Sequence, residues 1–225
     1  PLPQHLQLVD MRLLDEDVDH RVDAVGDKIG ILLQLAERDI VVGQLLLRQV
    51  GHHRALPRLF QQRSLVGWYA DGTTLQLSTL CRFANGPVRV LDGLYWDALR
   101  LFQEIRDGLS LYRREHGGQL DGIGLDTWGV DFALLGRDDQ LLGNPRHYRD
   151  PRTEGMLAAA FEAVPREEIF GQTGIQFMEI NSLYQLLAMR RQGDAALDAA
   201  HTFLMMPDLL NFWLTGIKAC EFSDA

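Results

Sequence analysis

The sequence predicts an α/β fold in which a mixed β-sheet is flanked by helices, and three consecutive stretches carry that prediction. LVGWYA, then Asp71 and Gly72, then TTLQLSTLCRF read as strand, tight turn and strand. Trp96 to His116 sets Leu99, Leu101, Phe102, Ile105, Leu109 and Tyr112 at helical spacing, with Asp97 in the first turn to complement the helix dipole. Leu120 to Leu135, LDGIGLDTWGVDFALL, then reads as a buried strand, because Ile123 and Leu125 alternate with small glycines. Hairpin, long helix and buried strand in that order are the parts of a mixed sheet with helical cover.

Ahead of the hairpin the chain changes character. All four Trp, all five Tyr and nine of the ten Phe follow residue 62, while four of the seven His precede it. Residues 1–62 therefore read as a separate segment that makes a poor core alone. Val22, Val25, Ile29, Leu32, Leu33 and Leu35 partly follow helical spacing, and Ile40 to Leu47 reads as a strand or a buried helix. Asp15, Glu16, Asp17 and Asp19, and the pair His52 and His53, have no defined ligand spacing, so solvated charge is the expected outcome and no metal site is assigned. After the buried strand, Arg137, Asp138 and Asp139 mark a turn in a short hairpin over Phe132 to Leu142. Thr153 to Ala163, Ile180 to Arg191 and Asp208 to Leu214 read as helices, the last bracketed by Pro207 and Gly216.

The whole chain of 225 residues suffices for one large domain or two small ones, and 46% hydrophobic with 24% charged residues is ordinary globular composition. A net charge of -9 and a pI near 5.2 argue against a nucleic-acid surface, which needs clustered Lys and Arg, and favour small-molecule or protein partners. Cys81 and Cys220 lie far apart outside any CxxC pattern, which fits a reducing, cytoplasmic setting. No apolar run has the length of a membrane span, and no leader pattern occurs. The chain opens on Pro1 and stops at Ala225, and both ends read as cut.

Function is expected where the buried strand ends. Asp126, Thr127, Trp128 and Gly129 place a carboxylate, a hydroxyl, an indole and a glycine side by side, and open α/β sheets bind ligands beyond the carboxyl ends of their strands. The same residues also suit a plain turn with Trp128 in the core. Close behind, HYRDPRT carries Arg149, Asp150 and Arg152 in a Pro-containing loop; Arg forks suit oxyanions, while an Arg149–Asp150 network that pins the loop is the plainer reading. In GIQFMEINSLYQL, Asn181 is expected to cap a helix. GxxxxGK[ST], GxSxG and HExxH are absent, and the GIGLD glycines do not follow the dinucleotide-binding spacing.

DTWGVDF at Asp126 to Phe132, HYRDPRT, TGIQFMEINSLYQL from Thr173, LMMPDLLNFWLTG from Leu204, and the earlier FANGPV and LYWD together resemble the rhamnulokinase branch of the FGGY carbohydrate kinases. The likeness runs from about Arg63 to Ala225, with the motifs in register and in order. It implies an actin-like (ribonuclease H-like) mixed sheet, here an incomplete N-terminal kinase domain. It further implies ATP-dependent phosphorylation of L-rhamnulose to L-rhamnulose 1-phosphate, with Mg2+ bridging the phosphates and a carboxylate taking the hydroxyl proton. In the family the glycine of the TWG motif contacts the sugar, which maps to Gly129; Trp128 then offers an apolar wall, and Asp126, Thr127 and Asp131 are hydroxyl partners or supports behind the pocket. A kinase for another ketose or polyol, and a non-catalytic binding module, are the competing expectations.

Two departures accompany the match. Family members begin with a strand that runs into a DxGASSGR-like phosphate loop, and here Arg63, preceded by Phe60, Gln61 and Gln62, corresponds only to the final arginine. The catalytic aspartate and the adenine site are expected beyond Ala225, so the chain is expected to be inactive alone. The missing first strand sits centrally in such sheets, and its loss is expected to weaken the fold unless Asp39 to Leu47 replace it. A frame error, a wrong start or a joined fragment is the expected origin of residues 1–62.

Overall fold

The computed structural model describes residues 7–9, 28–34, 62–70, 75–117, 120 and 122–221. Their elements are β1 (Gln7–Val9), β2 (Lys28–Gln34), β3 (Gln62–Ala70), β4 (Leu75–Ala84), β5 (Val88–Val90), β6 (Gly93–Tyr95), α1 (Ala98–His116), β7 (Gly122–Asp126), β8 (Phe132–Leu135), α2 (Met156–Ala163), α3 (Arg166–Thr173), α4 (Ser182–Gln192), α5 (Ala195–Ala199), β9 (Thr202–Met205) and α6 (Met206–Thr215). Two compact units share them, the first drawn from residues 1–86, 100–128 and 213–217, the second from 87–99, 129–212 and 218–225.

The first unit is built on a five-stranded sheet in the order β1-β7-β2-β3-β4. β2 and β7 run parallel, and β1·β7, β2·β3 and β3·β4 are antiparallel, so the sheet is mixed as expected. The aromatic strand pair forms β3 and β4, with a register shift at Leu65/Val66; its Asp71–Gly72 turn lies outside the described residues. β7 has a strand on either side, and Ile123 and Leu125 are 4% and 1% exposed, which is why GIGLD lacks a polar face.

The centre of the sheet differs from expectation. Lys28–Gln34 holds the place between β7 and β3, although its apolar residues fit a helical pattern in sequence. A short apolar run such as Ile29, Ile31, Leu32 and Leu33 fits a strand with two strand neighbours as well as it fits a helix, and pairing decides between them. Asp39 to Leu47, Ile40 to Leu47, the acidic run Asp15 to Asp19 and the pair His52 and His53 lie outside the described residues.

Helix α1 spans Ala98–His116 and buries Leu101, Ile105 and Tyr112 at the expected spacing. Two details depart from the sequence reading: Leu99 is 61% exposed, and Asp97 stands just before the first turn. Arg113, Arg114 and His116 place positive charge at the carboxyl end of the helix dipole. Gly117, at φ 63°, stops the helix by donating its N–H to the Arg113 carbonyl at 3.1 Å. Within the same unit Phe102 meets Trp213 edge-on, ring centroids 5.3 Å apart.

In the second unit β5 and β6 form a hairpin, and β8 pairs antiparallel with β9. The expected hairpin over Phe132 to Leu142 is thus only partly formed. A turn does occur at residues 136–140, closed by the Gly136 N–H to the Gln140 carbonyl, but β8 takes its main partner from about 70 residues further on, Phe132 opposite Met205. Helices α2, α4 and α6 match the three expected helices with shifted starts, while α3 and α5 have no counterpart among the expected elements. Two clusters among the described residues contribute to the core of this unit. One joins Phe132, Leu134, Met189 and Met205; the other joins Ala160, Ile169 and Tyr184. Pro207 falls in the first turn of α6, where its missing N–H costs nothing, and Gly216 follows the helix at φ 74°.

Candidate functional site

In the first unit the parallel strands β2 and β7 end level with each other. Gln34, the last residue of β2, stands opposite both Asp126, the last of β7, and Ser64 of β3. Asp126 therefore lies at the carboxyl edge of the sheet, the edge that open α/β sheets use for ligands. Arg63, next to Ser64, occupies the second position of β3 opposite Phe83. Beyond the strand end, Thr127 and Trp128 are both half-buried, and the Thr127 hydroxyl donates to the Trp128 carbonyl at 3.2 Å.

Gly129 opens the second unit and is exposed. Val130 follows at φ 70°, a left-handed conformation that β-branched residues rarely adopt. Its carbonyl accepts the Ser182 hydroxyl at 2.8 Å and the Gln185 Nε2 at 3.0 Å. Asp131 is fully buried. Its Oδ2 accepts the indole N–H of Trp96 and the backbone N–H of Tyr148 at 3.3 Å, and its Oδ1 accepts Gln185 Nε2 at 2.9 Å. The backbone carbonyl of Asp131 also accepts the N–H of Met206 at 3.1 Å, which ties it to the start of α6. Desolvating a carboxylate is costly, and three convergent donors offset that cost.

The HYRDPRT loop belongs to the same network. His147 is buried, with its ring 4.3 Å from Trp96 and 4.4 Å from Tyr148, and its Nδ1 accepts the Arg149 N–H at 3.0 Å. That donation assigns the ring proton of neutral His147 to Nε2. Asp150 does pin the loop, but its partner is Arg146 rather than Arg149. Arg146 Nη1 lies 3.2 Å from Asp150 Oδ2 while its guanidinium stacks 4.3 Å over Tyr95. Asp150 also accepts the Leu94 and Arg152 N–H groups, at 2.7 and 3.0 Å. Arg149 is exposed, and its guanidinium lies over the Tyr148 ring. Spacing along the loop makes the adjacent pair look natural; the turn at Asp150, which caps the 3-10 turn Pro151–Thr153, points its side chain back toward the residue four positions earlier.

Arg152 donates through Nη2 to Gln185 Oε1 at 2.7 Å. Burial, with the neighbouring Arg146 charge, lowers its pKa from the usual arginine range to about 10. Asn181 occupies the expected cap position of α4, yet its side chain donates to the Gln176 carbonyl at 2.8 Å instead of closing the helix end. Of the expected residues, the second unit thus brings Asp131, the HYRDPRT loop and the NSLYQL helix together. Trp96, Tyr148, Ser182 and Gln185 join them without having stood out in the sequence. Each lies in a quoted motif, but hydrogen bonds across 35 to 55 positions leave no periodic trace in sequence.

Neither cysteine forms a disulfide; Cys81 is half-buried and Cys220 exposed. No helix of the described residues is long and apolar enough to cross a membrane.

Comparison with known proteins bears on this arrangement. Rhamnulokinases from Bacteroides thetaiotaomicron, Oceanobacillus iheyensis and Yersinia pestis are 45%, 39% and 42% identical to it over 163 residues, 72% of this chain. The matched part spans 33–34% of those relatives, so the chain covers about a third of their length. Crystal structures of a gluconate kinase and a ligand-bound xylulose kinase, both from Lactobacillus acidophilus, superpose with a TM-score of 0.63 over 85% of this chain and 34% of theirs. At 14% identity those two establish a shared fold. Residues 94–225 match the N-terminal domain of the FGGY family of carbohydrate kinases. The chain therefore belongs to the FGGY family of carbohydrate kinases.

Proposed function

We propose that the chain is the sugar-facing part of an ATP-dependent kinase for L-rhamnulose that forms L-rhamnulose 1-phosphate in the cytoplasm. The observation that carries this reading is the 39–45% identity with rhamnulokinases over 163 residues, a stretch long enough that it must include the strand end and the HYRDPRT motif. In this reading the Gly129 backbone approaches the sugar where no side chain intervenes, and Trp128 supplies an apolar wall. Asp126 and Thr127 serve as hydroxyl partners. Asp131, buried with both oxygens engaged, acts as a support within its own unit rather than as a ligand contact.

ATP and Mg2+ enter only through the family. Among the described residues no group of three or more His, Cys, Asp or Glu is arranged to hold a metal ion, and magnesium in kinase sites is held by one or two carboxylates together with the substrate phosphates. No DxG triplet occurs in the 225 residues, and Arg63, on strand β3, remains the weak counterpart of the phosphate-loop arginine. We accordingly read the 225-residue chain as unable to transfer phosphate alone, and residues 1–62 as standing where the family has its first strand and loop. A coupled ADP-release assay with L-rhamnulose, ATP and Mg2+ is expected to give no turnover above background; appreciable turnover refutes the reading of incompetence. For residues 1–62, accurate DNA reads across codon 63 are expected to reveal an alternative upstream frame encoding a DxGxxxxR-like loop, and a single open frame without one contradicts that origin.

A further inference from the structure

We propose that Ser182 and Gln185 are positioning residues for the sugar: they hold Val130 in its left-handed conformation and thereby set the direction in which the Gly129 backbone meets its ligand. The inference rests on the reading of Gly129 as the ketose contact and goes beyond it by naming what shapes that contact.

Four observations converge on it. First, Val130 at φ 70° is an unfavourable conformation for a β-branched residue, and such conformations persist only where surrounding groups over-determine them. Second, the over-determining groups are present. Ser182 and Gln185 sit three positions apart on α4, hence on one face, and both donate to the same Val130 carbonyl, at 2.8 and 3.0 Å. Third, Ser182 opens α4, where a hydroxyl ordinarily serves its own helix end; here it reaches a carbonyl 52 positions earlier. Fourth, the sense of the Gln185 carboxamide is fixed. Arg152 Nη2 donates to its Oε1 at 2.7 Å, so the NH2 group must face Val130, Asp131 Oδ1 at 2.9 Å and the Ile180 carbonyl at 2.9 Å. Gln185 is 1% exposed, so water does not compete for these bonds.

The peptide between Gly129 and Val130 cannot rotate freely while the next carbonyl is clamped. Ligand recognition by backbone at Gly129 then inherits its geometry from a helix more than fifty positions away. Without the clamp, Val130 relaxes toward negative φ and turns that peptide. A glycine at position 130 visits positive φ without strain and so needs no clamp.

The test uses the 225-residue chain with Gln185→Met, which keeps bulk but removes both amide functions, Ser182→Ala as a second variant should the first fail to fold, and Val130→Gly/Gln185→Met. Scalar couplings that report φ at residue 130 are measured without ligand. L-Rhamnulose affinity is measured by titration calorimetry. We expect residue 130 to leave the left-handed region in Gln185→Met and Ser182→Ala, and to return to it in the double variant. The dissociation constant is expected to rise about tenfold in Gln185→Met, the scale of one lost buried hydrogen bond, and to recover in the double variant even though its bonds are not restored. A purely structural role would leave the affinity unrescued. Unchanged φ in both single variants overturns the clamp, and altered φ with unaltered affinity overturns its role in positioning. Absence of ketose binding by the wild-type chain defeats the reading of Gly129 instead, and the couplings distinguish that failure from failure of the clamp.

Discussion

Replacing Asp131 by Asn tests the buried network with almost no change in shape. Asp131 offers two oxygens to three donors: Trp96 Nε1 and the Tyr148 N–H at one, Gln185 Nε2 at the other. Asparagine keeps one oxygen and turns the other into a donor. If the oxygen stays with Trp96 and Tyr148, the new NH2 faces the NH2 of Gln185. Gln185 cannot flip to accommodate it, because Arg152 Nη2 and the Val130 and Ile180 carbonyls each require the present orientation. One buried donor facing a donor costs about 2 kcal/mol, and two bonds that lose their charge assistance cost about 1 kcal/mol more. Against this stands the relief of no longer burying a charge in a fully covered site. With three donors in place the hydrogen bonds outweigh that relief, and the net loss is expected to be about 3 kcal/mol, more than a hundredfold in the unfolding equilibrium. Equilibrium urea denaturation followed by tryptophan fluorescence is the assay, with an expected fall in midpoint of about 1 M at unchanged slope. A variant as stable as the wild type, or more stable, would refute the reasoning by showing that desolvation outweighs the network.

Two further substitutions probe the same unit. Trp96→Phe keeps a ring in contact with His147 but removes the indole donor to Asp131, and should cost about 1.5–3 kcal/mol in the same denaturation assay. Gly93→Ala places a Cβ 2.3 Å from Arg146 Nη1 and 2.7 Å from the Tyr95 ring. Because Arg146 is held by both Tyr95 and Asp150, it should destabilise by about 1–3 kcal/mol, and Arg146→Ala in combination should recover part of that loss.

What is legible in the sequence is whatever its local chemistry determines. The β3 and β4 strands, α1 and β7 carry strong periodic or alternating patterns, and each forms close to its expected place. Asp126 at a strand end follows from the switch from apolar to polar residues after Leu125. The pairing of β8 with β9 is not legible, because antiparallel partners far apart in sequence share no local signal. The β2 strand escapes sequence reading for a related reason: its apolar run suits a helix until the neighbouring strands are known. At the candidate site, Asp131 is readable as a candidate from its motif. Its burial and its bonds to Trp96 and Gln185 arise from tertiary packing, which leaves no local pattern in sequence.

The central claim, a ketose site of rhamnulokinase type at the end of β7, is tested most directly by thermal unfolding of the 225-residue chain with added L-rhamnulose, D-xylulose or glycerol, each alongside Gly129→Val. A ligand at about a hundred times its dissociation constant stabilises by about 2.7 kcal/mol, which for a chain of this size raises the midpoint by roughly 5–10 °C. That shift is expected with L-rhamnulose, a smaller one or none with the other two, and its loss in Gly129→Val. Stabilisation by D-xylulose or glycerol in preference to L-rhamnulose, or a shift that survives Gly129→Val, would contradict the claim.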